Sequence, residues 1–88
     1  MKLVNIGFGS MAAEEHIISI VGSDSSPIKR MIQEARSAGT LIDATYGRKC
    51  RSVLVMTSGH ILLSGLSSDV IAQRAGGEVS EADVIADD

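Results

Sequence analysis

Aromatic side chains are nearly missing: the chain has no tryptophan, one phenylalanine (Phe8) and one tyrosine (Tyr46). A binding mode that stacks successive bases of a single strand on aromatic rings has little to work with. Cysteine is equally scarce. Cys50 stands alone, so no intrachain disulfide can form, and His16 and His60 lie too far from it in sequence for metal-ligand spacing. This fits a reducing compartment. No apolar run approaches the roughly 20 residues of a transmembrane helix. The opening Met1-Lys2-Leu3-Val4-Asn5-Ile6-Gly7 lacks the unbroken apolar core of a signal peptide, so the expected location is cytoplasmic.

Signatures of catalysis are also missing, among them paired carboxylates with a pocket signature, a Ser/His/Asp spacing, a phosphate-loop lysine and a zinc motif. Gly7-x-Gly9-x-x-Ala12 imitates the start of a dinucleotide fingerprint. The helix it requires would cross the β-branched cluster Ile17-Ile18-Ser19-Ile20-Val21, and 88 residues leave no room for a doubly wound sheet. The glycines therefore read as a tight turn or β-bulge. His60 reads as a strand-start residue and Asp43 as a buried, hydrogen-bonded structural carboxylate. Lys49 and Arg51 are expected to lower the thiol pKa of Cys50, with no other group beside it for nucleophilic work. No enzyme activity, cofactor or metal is expected.

What is present is an uneven charge pattern. The net charge is −3, but residues 1–75 carry eight cations against six acids, while Glu78, Glu81, Asp83, Asp87 and Asp88 fill a cation-free tail. The reading is a folded domain over 1–75 with charge +2 and an acidic, disordered tail over 76–88 with charge −5. Leu41 to Met56 has two apolar, β-branched runs around Gly47, the composition of a β-hairpin. Arg48, Lys49 and Arg51 lie at its tip, where their charges cannot be buried without partners. This ribbon would offer positive charge to a polyanion.

Around it, Lys2–Ile6 and Glu15–Val21 read as strands, His16 leading into the second as a surface residue or a weak phosphate contact. Ser26 and Pro27 open a helix whose Ile28, Met31, Ile32 and Ala35 share one face, with Gly39 closing it. Residues 60–66 form a further strand, completing a three-strand meander with the hairpin, and Ser67 or Ser68 caps a short helix over 69–75. The fold class is α+β: a small antiparallel sheet, one main helix and a short C-terminal helix. Val53-Leu54-Val55-Met56 and Ile61-Leu62-Leu63 are continuous apolar runs, so both sheet faces need cover. One helix covers one face, which leaves the other to a second copy of the chain.

Three stretches carry a resemblance: Asn5-Ile6-Gly7-Phe8-Gly9, Ser26-Pro27-Ile28-Lys29-Arg30-Met31-Ile32-Gln33 and Leu41-Ile42-Asp43-Ala44-Thr45-Tyr46-Gly47-Arg48. With them the chain resembles, from about Val4 to Arg74, the RemA-type extracellular matrix regulatory proteins of bacteria. The resemblance implies a transcriptional regulator that binds double-stranded DNA and activates biofilm-matrix operons. It also implies a LytTR-like fold assembled as a ring-shaped homo-oligomer. Of the family's DNA-contacting arginines, one is matched by Arg48. A second stands as Lys49, which keeps charge but loses the bidentate fork, and a third as His16. The family's proline at the helix start is matched by Pro27. Residue reading and resemblance together assign DNA contacts to Arg48, Lys49, Arg51 and His16, and a structural or assembly role to Pro27. The rival reading is a structural or protein-interaction module in which Arg48, Lys49 and Arg51 pair with acids of a neighbouring subunit; RNA also stays open as a ligand.

Overall fold

The computed structural model describes residues 1–76; the expectation of a disordered tail falls, from residue 77 on, outside the described residues. Strands β1 (Leu3–Gly7) and β2 (Ser10–Ala13) form an antiparallel pair. Their sequence alternates as a half-buried ribbon should, with Val4, Ile6 and Ala12 inside and Leu3, Asn5 and Met11 outside. Phe8-Gly9 makes a two-residue turn between them, and the register slips between Asn5 and Gly7. The glycines are therefore a turn and a bulge together, and a strand rather than a dinucleotide-binding helix follows. β2 was not expected, because Ser10-Met11-Ala12-Ala13 has no β-branched or aromatic residue; pairing with β1 outweighs local propensity.

The expected strand over 15–21 begins later. Glu14–His16 form one 3-10 turn, and β3 runs Ile17–Gly22. Helix α1 (Ser26–Ala38) starts one residue earlier than anticipated, since the cap is Ser25, whose hydroxyl accepts the Ile28 N–H at 3.4 Å. Pro27 occupies the first turn, and Gly39 closes the helix at φ 78°. Then follow β4 (Leu41–Asp43), β5 (Ser52–Met56), β6 (Ile61–Ser64) and α2 (Ser68–Arg74), capped by the Ser67 hydroxyl.

These strands form a second sheet in the order β3-β5-β6-β4. Here the expected Leu41–Met56 hairpin and the meander built on it are corrected. β5 and β6 do pair antiparallel through the turn at Thr57–His60, but β4 lies parallel to β6, making the sheet mixed. The cause is local. β4 ends after three residues because the Asp43 carboxylate accepts the Thr45 N–H at 2.9 Å and the Thr45 hydroxyl at 2.6 Å, turning the chain. Both edges of β5 are taken by β3 and β6, so β4 cannot pair with β5 as a hairpin requires and adds instead to the outer edge of β6.

The packing argument for a second copy is corrected too. On one sheet face Val53, Ile61 and Leu63 meet Ala35 of α1, with Ile28, Met31 and Ile32 packed around them. On the other, Leu54, Met56 and Leu62 meet Val4, Ile6 and Ala12 of the β1–β2 pair and Ile71 of α2. The chain covers its own second face. Each fully buried side chain such as Ile6, Leu54 or Ile71 contributes about 1.5–3 kcal/mol. The two buried serines are satisfied: Ser52 donates to the Leu66 carbonyl and Ser64 to the Ile6 carbonyl, each at 2.7 Å.

Candidate functional site

The segment from Ala44 to Arg51 joins β4 to β5 and carries the cations. Ala44 and Thr45 are buried, anchoring its start, and the Arg48 N–H returns to the Thr45 carbonyl at 3.1 Å. That bond closes a four-residue turn with Tyr46 (φ 54°) and Gly47 (φ 80°) at its centre. Two consecutive positive φ angles define a type I′ turn. Further on, the Ser23 hydroxyl donates to the Cys50 carbonyl at 2.8 Å and the Arg51 N–H to the Ser64 carbonyl at 2.9 Å. The backbone is thus held at three points while Arg48, Lys49 and Arg51 stay exposed.

These cations point to two places. The Arg48 guanidinium lies over the Phe8 ring, its Cζ 4.3 Å from the centroid, a cation–π arrangement. Lys49 and Arg51 instead line an open concavity with Ser23, Asp24 and Ser68. Among the described residues the ion pairs are Lys2 with Glu14 and Arg30 with Glu34, so Arg48, Lys49 and Arg51 form none, although Asp24 shares the concavity of the latter two.

Phe8 belongs to the site, and the sequence did not single it out as such. It is the first residue of the β1–β2 turn, with φ 53° followed by Gly9 at 80°, so this turn has the same hand as the Tyr46-Gly47 turn. The two rings lie 5.7 Å apart, tilted by 47°, and the Ser10 hydroxyl reaches the Tyr46 hydroxyl at 3.3 Å. Left-handed backbone at a non-glycine residue costs on the order of 1–2 kcal/mol. Little burial offsets that here, since Phe8 is 49% and Tyr46 66% exposed.

His16 is not brought to this cluster. Its imidazole pairs with the Thr57 hydroxyl at 3.0 Å, beside the Ile17–Met56 end of β3 and β5, whereas Arg51 precedes Ser52 at the other end. A five-residue strand separates them, roughly 17 Å. Pro27 is exposed in the first turn of α1.

Asp43 is corrected in one respect: it is hydrogen-bonded but exposed at a strand end. The bonds from the Thr45 hydroxyl and N–H hold its pKa below the ordinary carboxylate value, with Arg36 adding to the effect. Cys50 is corrected outright. Burial dominates and pushes its thiol pKa up, where the flanking cations suggested the reverse; its Sγ faces the Ser52 carbonyl at 3.5 Å. His60 stands just before β6, its ring against the Ser58 hydroxyl at 2.7 Å. Among the described residues no three His, Cys, Asp or Glu side chains gather as a metal site, and no helix is long and apolar enough to cross a membrane.

Fold and site define a small α+β domain that presents an open, cationic, aromatic-edged surface. The chain belongs to the RemA-like family, described as extracellular matrix regulatory protein A-like, which matches residues 3–75. It is 55% identical to a protein of Dictyoglomus thermophilum, over 92% of this chain and 96% of the relative. It is 54% identical to one of Bacillus pumilus, over 84% and 83% of the two chains. A Clostridium botulinum relative is 45% identical, over 96% and 92%. All three bear the name "Putative regulatory protein".

Proposed function

We propose that this protein is a DNA-binding transcriptional regulator that holds duplex DNA through Arg48, Lys49 and Arg51, repeated around a homo-oligomeric ring. The observation that carries the reading is the loop itself: three exposed cations on a pinned backbone, none of them in an ion pair among the described residues. Membership in a family described as regulatory supports it, and activation of matrix genes is the extension of that membership to this chain.

One protomer offering about three phosphate contacts binds feebly, with a salt slope near −2.7. An array gains because later contacts are intramolecular. Support for an array comes from the sheet edges. β3 and β4 are the outer strands, and each shows an isoleucine to solvent, Ile18 at 63% and Ile42 at 48%. Edge strands are ready templates for another chain, and two different edges meeting head to tail generate a ring when the rotation closes. In this arrangement His16 supplies a separate contact at the far end of the sheet. Pro27 fixes the start of α1, helping to hold the shape in which protomers meet.

The test combines light scattering with fluorescence anisotropy on duplex DNA across a salt series. An oligomer whose affinity falls steeply with salt agrees with the proposal. An oligomer that ignores DNA at low salt and dissociates as salt rises would assign the cations to subunit pairing instead.

A further inference from the structure

We infer that Phe8 and Tyr46 form an uncharged second part of the DNA contact, a wedge that enters a base step beside the phosphates held by the cations. The inference rests on the DNA-binding reading above. Two separate sheets deliver these rings to one spot, the β1–β2 turn bringing Phe8 and the β4–β5 segment bringing Tyr46, 5.7 Å apart. Both occupy left-handed backbone, which Asn or Gly adopts without strain. Both remain largely open to solvent, Phe8 at 49% and Tyr46 at 66%. Folding alone does not account for an aromatic residue at either turn, whereas strain kept at an exposed surface is a mark of function.

The chemistry of the patch selects its partner. It joins apolar ring faces to the Arg48 guanidinium, 4.3 Å above Phe8, with no carboxylate paired to that cation among the described residues. A matching surface needs flat apolar groups flanked by anions. Duplex DNA supplies both in its minor groove, where inserted apolar side chains unstack a step and kink the helix between rows of phosphates. Arg48, lying on Phe8, is held at the groove edge, where it meets a flanking phosphate. Such a wedge favours flexible steps without reading a base edge.

The variant that tests this is Phe8→Asn in the full chain, because asparagine suits the turn. Thermal stability is expected to stay level or rise, while affinity for duplex DNA falls about tenfold at every salt concentration, with the salt slope unchanged. Bending, followed by energy transfer between the duplex ends, should decrease, and Phe8→Trp should retain both affinity and bending. Wild-type binding and bending by Phe8→Asn would overturn the wedge while leaving the cationic contact standing. A changed subunit number in Phe8→Asn would overturn it as well, by assigning the patch to a contact between copies. If the unaltered protein ignores duplex DNA, the broader reading fails first.

Discussion

The Ser64 hydroxyl donates to the Ile6 carbonyl across 2.7 Å, a buried bond between residues 58 positions apart. The same oxygen accepts the Leu66 N–H at 3.0 Å. Ser64 thereby fastens the β1–β2 pair, and the Phe8 turn at its tip, to the end of β6 beside the cationic segment. Ser64→Ala strands a buried carbonyl and an N–H, at a cost of about 1–3 kcal/mol. For a domain this small, each kcal/mol lowers Tm by about 4–8 °C. Thermal unfolding followed by circular dichroism checks the expected drop.

Arg48→Ala should leave subunit number unchanged and weaken duplex binding. If Arg48 neutralises one phosphate, the slope of log K against log salt becomes shallower by about 0.9. Anisotropy titrations at four or more salt concentrations measure it. An unaltered slope would move the phosphate contact elsewhere.

Lys49→Arg restores a planar, bidentate donor where the ammonium offers only a point charge. Tighter binding is expected, by a factor on the order of ten if the fork takes a phosphate through two charge-assisted hydrogen bonds. Competition between duplexes differing at single base pairs would show whether the gain is specific. No gain at all would mean that position 49 does not touch DNA.

Asp43→Ala removes the acceptor that turns the chain after β4, and about 1 kcal/mol of stability should go with it. The bonded carboxylate has a folded pKa below its unfolded one. Its contribution is therefore fully present above the unfolded value, near pH 4, and fades as pH falls through the depressed folded value. The gap in Tm between Asp43→Ala and the parent should accordingly be full at pH 7 and shrink in strong acid. A gap independent of pH would assign the effect to packing.

Removing residues 77–88 takes away five carboxylates and no cation. Nonspecific duplex affinity at low salt should rise, since the tail's field opposes a polyanion. Coincident titration curves with and without these residues would dismiss that role.

The main helix, the β5–β6 pair and the capped α2 could be read from the chain because their signals are local: helical spacing from Ile28 to Ala35, a turn at Ser58-Gly59, a serine before Asp69. The partner of β4 is not legible in its three residues, because it is decided by the edges left free in the sheet. β2 was invisible since its residues are poor strand formers. The cluster of Arg48, Lys49 and Arg51 was legible as charge in one stretch. Its division into a ring-stacked arginine and a concavity was not, because Phe8 lies 38 residues from Tyr46 and only the docking of one sheet on another joins them.

The two aromatic turns have a practical corollary. Tyr46 is the sole tyrosine in a chain devoid of tryptophan, so ultraviolet emission from the unlabelled polypeptide originates at one known spot, adjoining the proposed groove-binding edge. Quenching or recovery of that light reports occupancy there directly, with no dye to perturb the association under study.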